Sequence, residues 1–341
     1  MNKQLSWNNL IEKQQELQFS GSIHLRKKGK TILSDSYGYA NHSEKIENQT
    51  NTRFSIASGS KIFTAIAICK LVEEEKITFD TKIVDCLNIK FPYFDENITI
   101  HHLLTHTSGV PDYFDEEEMD DFEMLWERLP MYRVRSAKDF LPLFQYEKMQ
   151  AEAGGSFKYN NTGYIILGLI VESISGMDFA SYIEKNIFQP AGMSESGYFS
   201  MDELPGNAAI GYIEKPDGTW KSNVFSLPAK GGPDGGAYVT APDIGMFWDA
   251  LMNNRLLSEK MAQSLLTPRE KVADDIFYGY GGYMELNEQG VVKYIQMGYD
   301  PGVNYRSVFY PDLDLIIVVC SNKSESAYEM LIEIESLIVN K

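Results

Sequence analysis

Two long apolar runs predict two buried helices. The first extends from Lys61 to Val72, and the second extends from Tyr164 to Val171 and ends near Ser175-Gly176. A helix that is apolar on nearly every side is normally buried in a large core. Both runs are shorter than the roughly 20 residues that a membrane-spanning helix needs. The sequence therefore predicts core helices and no membrane segment.

Strand-like segments occupy both ends of the chain. Near the N-terminus, residues 22–25 and 31–36 flank a polar stretch that contains Gly29, which predicts a hairpin. The final section contains β-rich segments and a closing helix, at residues 278–284, 291–297, 307–310, 313–320 and 325–339. Strands at both ends that bracket a long helical middle predict one sheet assembled from both termini, with a helical insertion.

This pattern predicts an α/β fold of the α+β type in two parts. Residues 1–82 and 268–341 form the predicted sheet domain, and residues 83–267 form a mainly helical inserted domain. We expect residues 112–139, which are acidic and aromatic, to form a surface lobe that overhangs a site. Shorter helices are predicted at residues 5–17, 98–106, 141–151 and 240–251, and a small hairpin around residues 216–218.

The composition is that of a soluble globular protein. The chain has 341 residues, of which 43% are hydrophobic and 23% are charged. Its net charge of −17 argues against binding to nucleic acid or to anionic membrane surfaces. Residues 1–7 show no apolar signal-peptide segment. We therefore expect a cytoplasmic protein, or a secreted one if a native signal has been removed.

The histidines and cysteines show no metal-binding pattern. The residues concerned are His101, His102, His106, Cys69, Cys86 and Cys320. His102 and His106 are spaced i, i+4, but the glutamate of a zinc-protease helix is missing between them. We expect packing or turn-closing roles for the histidines. The cysteines lie in apolar surroundings, so we expect buried core positions without disulfides.

A serine and a lysine stand together at the front of the first apolar helix. Ser58 and Lys61 are three residues apart, so a helix places their side chains on one face. A serine hydroxyl is a weak nucleophile that needs an adjacent base, and a desolvated lysine can be that base. The first N–H groups of a helix have no intrahelical partner and can face a developing oxyanion. The pair therefore suggests a serine hydrolase.

A structural interpretation of the same pair remains open. Ser58 can act only as the N-cap of the helix, and Lys61 can extend its amine to solvent. The spacing Ser-x-x-Lys also occurs by chance about once in a chain of this length. The pair alone therefore does not decide between catalysis and helix capping.

Two loops contain further candidate residues. Tyr159 and Asn161 lie just before the second apolar helix, where ordinary turn chemistry also accounts for them, because Asn161 and Thr162 are good N-caps. Residues 230–236 read Lys-Gly-Gly-Pro-Asp-Gly-Gly. This loop lacks the spacing and the following Lys-Ser/Thr of a phosphate-binding loop, so no phosphate site is predicted.

Several motifs, in order along the chain, resemble the β-lactamase-like serine hydrolases. This family includes class C β-lactamases, penicillin-binding D-alanyl peptidases, D-aminopeptidases and related esterases. The motifs are Ser58-Gly-Ser-Lys61, His102-Leu-Leu-Thr-His-Thr-Ser-Gly109, Tyr159-Asn-Asn161 and Gly231-Gly-Pro-Asp-Gly-Gly-Ala-Tyr-Val-Thr240. The similarity spans about residues 22–322.

The resemblance implies a fold and a role for each matching residue. The implied fold is β-lactamase/transpeptidase-like: an antiparallel sheet flanked by helices, plus a mainly helical domain, with the active site between them. Ser58 is the implied acylated nucleophile, Lys61 and Tyr159 share the base and acid roles, and Asn161 orients the substrate or Lys61. The implied oxyanion hole falls on the backbone N–H groups of Ser58 and Tyr299. No metal or organic cofactor is implied.

The last family motif departs from the usual pattern. The family has Lys-Thr-Gly or His-x-Gly on a strand that lines the site, and this chain reads Gln296-Met297-Gly298. Gly298 permits the close approach of an acyl group to the strand. We expect Gln296, Gly298 and Tyr299 to bind substrate. Gln296 can form hydrogen bonds but carries no charge, which disfavours recognition of a substrate carboxylate.

The expected function is that of a serine hydrolase that cleaves an ester or amide of a small molecule or peptide through an acyl-enzyme on Ser58. An esterase or a D-amino-acid peptide hydrolase is favoured over a true β-lactamase. The alternative is a non-catalytic penicillin-binding or sensor protein that retains the fold. Gln296 favours this alternative, whereas the intact Ser58, Lys61, Tyr159 and Asn161 favour the enzyme. No oligomeric state is predicted.

Overall fold

The structure, a computed structural model, describes residues 7–115 and 122–339. Residues 116–121 of the predicted acidic lobe lie outside the described residues. In chain order the strands are β1 (Gly21–Lys27), β2 (Lys30–Tyr37), β3 (Tyr39–Asn41), β4 (Ile46–Glu47), β5 (Phe54–Ser55), β6 (Tyr212–Glu214), β7 (Trp220–Ser222), β8 (Tyr238–Val239), β9 (Glu270–Lys271), β10 (Ile276–Tyr278), β11 (Tyr283–Asn287), β12 (Gly290–Asp300), β13 (Val303–Tyr310) and β14 (Leu315–Ser321).

The α-helices surround these strands. They are α1 (Trp7–Glu16), α2 (Lys61–Glu73), α3 (Ile83–Cys86), α4 (Ile100–Leu104), α5 (Leu125–Arg128), α6 (Leu141–Phe144), α7 (Asn161–Ser175), α8 (Phe179–Ile183), α9 (Gln189–Ala191), α10 (Ala241–Met252), α11 (Glu259–Leu265) and α12 (Ala327–Ile338). No single helix among the described residues has the length and apolar composition to cross a membrane. The bent pair formed by α7 and residues 179–191 passes that test by length and composition alone.

The main sheet is antiparallel and joins the two ends of the chain. Its strand order is β2-β1-β14-β13-β12-β11-β10-β9. β1 pairs with β14 from Gly21 opposite Ser321 to Lys27 opposite Leu315. Every residue of β14 is buried, which accounts for the uninterrupted apolar run in its sequence, since both faces of the strand are covered. The predicted fold class, with a sheet built from both termini and flanked by helices, is confirmed.

Two hydrophobic layers cover the faces of this sheet. One contains residues of α1, α12 and the sheet, such as Leu10, Leu331 and Ile317. The larger layer contains α2, α7 and α10. In α10, Trp248 stacks on Phe309 and donates a hydrogen bond of 2.8 Å to Ser307 Oγ. The buried helix α2 therefore lies deep in the larger layer, with its N-terminus directed towards β12 and β13.

Most of the predicted elements are present, with one clear exception. The first hairpin turns at Gly29, whose φ is +71°, and α7 ends at Gly176 with φ +70°. The helix predicted at residues 141–151 is wrong, because α6 ends at Phe144. Residues 145–151 have no buried side chain, so no packed face stabilises helix beyond that point. The domain boundaries at residues 83 and 267 stay a prediction.

Candidate active site

Ser58 lies in a strained turn immediately before α2. Strand β5 pairs with β8, and Ile56, the residue that follows β5, donates its N–H to Ala237 O at 3.0 Å. Ala57 follows with φ +46°, a left-handed conformation that is uncommon for a residue with a Cβ atom. Residues 57–60 form a 3-10 turn, and the cap position of α2 is Ser60. Ser58 is therefore not the N-cap of α2.

Lys61 is buried and directed at Ser58. It is 2% exposed, which excludes the interpretation that its amine extends to solvent. Its Nζ lies 3.0 Å from Ser58 Oγ, 2.8 Å from Asn161 Oδ1 and 2.7 Å from the carbonyl oxygen of Asp234. The last two atoms can only accept hydrogen bonds. A neutral amine donates its two hydrogens to them, and its lone pair then faces the Ser58 hydroxyl, as a general base requires.

Asn161 is held in one orientation at the start of α7. Its Nδ2 donates to Phe114 O at 3.1 Å, which directs Oδ1 towards Lys61. The N-cap of α7 is Asn160 rather than Asn161 or Thr162, because Asn160 Oδ1 accepts the Gly163 N–H at 2.7 Å. Because Asn160 caps the helix, the side chain of the buried Asn161 is available for Lys61.

A carboxyl group lies behind Asn161. Asp112 accepts the N–H groups of Asn161 and Thr162 at 2.9 and 3.0 Å. Burial raises the pKa of Asp112 to about 7, while these two hydrogen bonds and the Lys61 charge act in the opposite direction. Asp112 is not among the site residues predicted from the sequence. Its position immediately after Val110-Pro111 was the available signal.

Tyr159 lies beside the same amine. The centre of its ring is 4.8 Å from Lys61 Nζ and 4.6 Å from the centre of the His106 ring. His106 is buried, and its Nδ1 accepts the Asn160 N–H at 3.1 Å. Burial, and then the Lys61 charge, lower the pKa of His106 well below its usual value. The packing role expected for His106 is confirmed. The part of the chain that the structure describes has no group of three or more His, Cys, Asp or Glu side chains placed to hold a metal ion.

Strand β12 contacts the turn directly. A Cβ atom built on Gly298 lies 2.0 Å from Ile56 O and 2.8 Å from Gly59 N, so the strand and the turn touch through their backbones. One cleft is lined by Ser58, Asp115, Tyr159, Tyr283, Met297, Gly298, Tyr299 and Arg306. The structure therefore brings Ser58, Tyr159, Gly298 and Tyr299 together.

Gln296 lies apart from that cleft. It is 5% exposed, and its Nε2 lies 2.3 Å from the position that a Cβ on Gly282 would take. It lines a small cavity with residues such as Ile62 and Tyr280. Ser58 is not one of the residues that line this small cavity in the part of the chain that the structure describes. The assignment of Gln296 to substrate binding stays a prediction, without a contact to the cleft.

The glycine-rich loop at residues 230–236 is part of the site. Its Asp234 supplies the carbonyl oxygen that accepts from Lys61, and its Pro233 O accepts from Thr64 Oγ1 of α2 at 2.6 Å. A Cβ atom on Gly168 of α7 would lie 1.9 Å from the Pro233 ring. The contact of this loop with Lys61 was not predicted from the sequence. The sequence feature that could have indicated it is the presence of four glycines in seven residues, which permit close backbone approach.

Ser58 also opens onto a second cavity, named here the aromatic pocket. Its lining is mainly aromatic and aliphatic, with two carboxyl groups. The lining residues include Ser58, Tyr113, Phe122, Leu125, Trp126, Tyr238, Asp234 and Asp300. Phe122, Leu125 and Trp126 belong to the described part of the predicted acidic lobe. That part of the lobe therefore covers a cavity next to Ser58.

Comparisons with known proteins give matches over nearly the whole chain. A family model described as Beta-lactamase matches residues 7–335. Penicillin-binding protein 4* of Bacillus subtilis (strain 168) is 32% identical over 332 residues, which cover 92% of this chain and 71% of that protein. The crystal structure of a penicillin binding protein from Bacillus halodurans is 52% identical, with a TM-score of 0.93 over 96% of this chain and 100% of that chain.

A more distant solved structure shares the fold. The D-amino acid amidase from Ochrobactrum anthropi SV3 is 20% identical, with a TM-score of 0.80 over 97% of this chain and 98% of that chain. At this identity the likeness shows the fold alone.

Proposed function

We propose that this chain, which belongs to the Beta-lactamase family, is a serine hydrolase. It cleaves ester or amide bonds through an acyl-enzyme on Ser58. One observation carries the proposal: the buried Lys61 amine lies 3.0 Å from Ser58 Oγ while Asn161 and Asp234 accept its other hydrogen bonds. A buried cationic side chain is costly unless it has a partner or a function.

In the proposed mechanism, Ser58 Oγ attacks the carbonyl carbon of the substrate and Lys61 Nζ takes the hydroxyl proton. The negative charge that develops on the substrate oxygen is stabilised by the backbone N–H groups of Ser58 and Tyr299. Tyr159 and Lys61 share the transfer of the proton to the leaving group, which departs and leaves the acyl group on Ser58. A water molecule then attacks the acyl group by the same route in reverse and releases the acid.

The proposed substrates are esters, or amides of amino acids and short peptides, rather than β-lactams. One feature supports this preference: the aromatic pocket, onto which Ser58 opens, is lined by two carboxyl groups, which disfavour the carboxylate that β-lactams carry. The neutral Gln296 lies outside the Ser58 cleft and is not part of this support. Within this proposal, an esterase and a D-amino-acid peptide hydrolase remain the two candidates.

The second candidate function is a non-catalytic penicillin-binding or sensor protein. The observation that favours it is the neutral Gln296, placed outside the Ser58 cleft. Such a protein binds its ligand without turnover, whereas the enzyme releases a product. Steady-state release of p-nitrophenol from p-nitrophenyl esters distinguishes the two, with Ser58→Ala as the reference for uncatalysed hydrolysis.

Covalent labelling tests the role of Ser58. A fluorophosphonate is expected to add one adduct to the native protein and none to Ser58→Ala, as measured by intact mass, with circular dichroism as the folding control. Ser60→Ala is the matched control. Ser60 lies two residues away in the same turn, but its Oγ is engaged with Ala57 O and the Ala237 N–H. Labelling of folded Ser58→Ala to the native extent contradicts the assignment.

A further inference from the structure

Two neighbouring residues, Asp112 and Tyr113, hold the two groups that accept hydrogen bonds from Lys61. Asp112 accepts the backbone N–H of Asn161 at 2.9 Å, and Asn161 Oδ1 accepts from Lys61 Nζ at 2.8 Å. Tyr113 donates its hydroxyl hydrogen to Asp234 Oδ2 at 2.5 Å, and the Asp234 carbonyl oxygen accepts from Lys61 Nζ at 2.7 Å. One short segment therefore supports both acceptors that direct the amine.

Four donors at the start of α7 converge on the Asp112 carboxyl group. Its Oδ2 accepts the Asn161 N–H at 2.9 Å and lies 3.4 Å from Asn161 Nδ2. Its Oδ1 accepts the Thr162 N–H at 3.0 Å and the Thr162 hydroxyl at 3.3 Å. Hydrogen-bond donors and the positive end of a helix dipole both favour a carboxylate. Asp112 therefore fixes the Asn161 backbone and lies beside the amide end that faces away from Lys61.

The charge of Asp112 acts on Lys61. Burial raises the pKa of Asp112 to about 7, and the Lys61 charge opposes this rise whereas the Asp234 charge adds to it. Burial also raises the pKa of Tyr113, and the charges of Asp234 and Asp112 add to that effect. The interaction between Asp112 and Lys61 is reciprocal, so an ionised Asp112 favours the charged amine. A charged amine cannot accept the proton of Ser58, so the Asp112 charge moves the onset of acylation to higher pH.

Asp112 faces a surface groove that is distinct from the two cavities next to Ser58. The charged residues that line the groove with it are Glu127, Arg128, Glu147 and Lys148. The formal charges of these four residues sum to zero. In the part of the chain that the structure describes, Asp112 lines neither of the two cavities onto which Ser58 opens. Its proton can therefore exchange with solvent while a substrate occupies those cavities.

We infer that Asp112 is a positioning residue for the proposed acylation: it fixes Asn161, and through Asn161 the Lys61 amine, and its charge sets the pH at which Lys61 accepts the Ser58 proton. The inference rests on the proposed acyl-enzyme at Ser58 and adds a residue that acts on the base without touching substrate. Loss of the positioning lowers the plateau of the acylation rate at high pH. Loss of the charge moves the rise of the rate to lower pH. A residue with a purely structural role lowers the plateau without moving the rise.

The pH dependence of covalent labelling tests both effects. The rate constant for labelling of Ser58 by a fluorophosphonate is measured by intact mass from about pH 5 to about pH 10, a range that covers the usual pKa values of buried carboxyl and amino groups. The profile gives a plateau and a midpoint. Asp112→Asn is expected to lower the plateau about tenfold and to move the midpoint down by about one pH unit. Asp112→Glu keeps the charge, so it is expected to keep the native midpoint, with a lower plateau because its longer side chain displaces Asn161.

A double-mutant cycle with Asn161→Ala tests whether Asp112 acts through Asn161. Asp112→Asn is expected to lower the plateau of the native protein but not that of Asn161→Ala, because the side chain that it positions is already absent. The midpoint is expected to move in both backgrounds, because the charge acts on Lys61 through space.

Asp243→Asn is the matched control. Asp243 is also a buried carboxyl group, and it accepts the Glu195 N–H at 3.0 Å and the Ser196 hydroxyl at 2.7 Å. Among the described residues it lines neither cavity next to Ser58. This variant is therefore expected to keep the native plateau and midpoint, with circular dichroism as the folding control for all variants.

The outcomes separate failure of the inference from failure of the proposed function. A native midpoint or a native plateau in folded Asp112→Asn overturns the inference, and so does an equal loss of plateau in the native and Asn161→Ala backgrounds. If Asp112→Asn does not fold, the same cycle with Asp112→Glu decides, and a native plateau or an equal loss in both backgrounds overturns the inference. In all these cases the native protein is still labelled on Ser58, and the proposed function stands. Absence of labelling of the native protein overturns the proposed function, and the inference with it.

Discussion

Replacement of Gly298 by alanine tests the contact between β12 and the nucleophile turn. The new methyl group lies 2.0 Å from Ile56 O and 2.8 Å from Gly59 N, and both are backbone atoms that no rotamer change can move. Ordinary contact begins at 3.4 Å, so strand and turn must separate by about 1.4 Å at Ile56. Ser58 belongs to the turn and Tyr299 to the strand, so the separation moves apart the two backbone N–H groups that we propose as oxyanion donors.

The expected loss follows from that displacement. Misplacement of a reacting group by 1 Å costs about 100-fold in rate, and loss of one oxyanion donor costs roughly 100- to 1000-fold in kcat. We expect Gly298→Ala to lower kcat/KM for a p-nitrophenyl ester by about 100-fold, or about 2.7 kcal/mol of transition-state stabilisation. Forcing a methyl group into a packed contact also lowers the free energy of unfolding by about 1–3 kcal/mol.

The assay pairs ester hydrolysis with urea unfolding. Gly206→Ala is the matched control, because a Cβ atom on Gly206 has no heavy atom within 4 Å. We expect this control to keep the native kcat/KM and to change the free energy of unfolding by less than about 1 kcal/mol. If Gly298→Ala keeps both the native kcat/KM and the native stability, the strand does not position the oxyanion donors and the reasoning is refuted.

Three further predictions concern the groups around Lys61. Lys61→Ala and Tyr159→Phe are each expected to slow single-turnover acylation by about 10²–10⁴-fold. The double variant is expected to be little slower than the slower single variant, because the two groups act as one proton-transfer unit. Losses that multiply in the double variant contradict a shared role. Asn161→Asp places a carboxylate at the atom that is now 2.8 Å from Lys61 Nζ and so favours the charged amine. Acylation is expected to slow at pH 7 and to recover at higher pH, and an unshifted pH–rate profile contradicts this. Asp112 binds its proton more tightly in the folded than in the unfolded protein, because burial raises its pKa to about 7. Its contribution to the free energy of unfolding therefore falls as pH rises from about 4 to about 7, by at most about 4 kcal/mol. Asp112→Asn should remove that slope from urea-unfolding curves measured between pH 4 and 8, and a slope equal to the native one contradicts the assignment.

Local chemistry made part of the site predictable from the sequence. The three-residue spacing of Ser58 and Lys61 sets their mutual position within one turn, whatever the rest of the fold does. The apolar run of α2 indicated burial, and residues 61–69 of this helix are buried in the structure. The strand and turn signals of β1, β2, β13 and β14 were equally local, and those elements are present.

Tertiary packing determines the parts of the site that the sequence did not predict. The carbonyl oxygen of Asp234 reaches Lys61 across 173 residues of sequence, because Pro233 packs on Gly168 and accepts a hydrogen bond from Thr64. No periodicity or spacing indicates such a contact. Gln296 illustrates the same limit, because alternation along β12 gives the face of the strand but not which cavity a side chain enters. The structure places its amide against Gly282 instead of in the Ser58 cleft.

The contact between Gly298 and the Ser58 turn has a consequence for biosynthesis. The two residues are about 240 positions apart in the chain. A ribosome that adds roughly 5–20 residues per second needs about 10–50 s to make the intervening segment. Throughout that interval the nascent chain contains Ser58 and Lys61 without the strand that completes the proposed oxyanion site, and β1 is made still longer before its partner β14. Under the proposed function, reactivity of Ser58 towards esters therefore arises only when the last strands have joined the sheet.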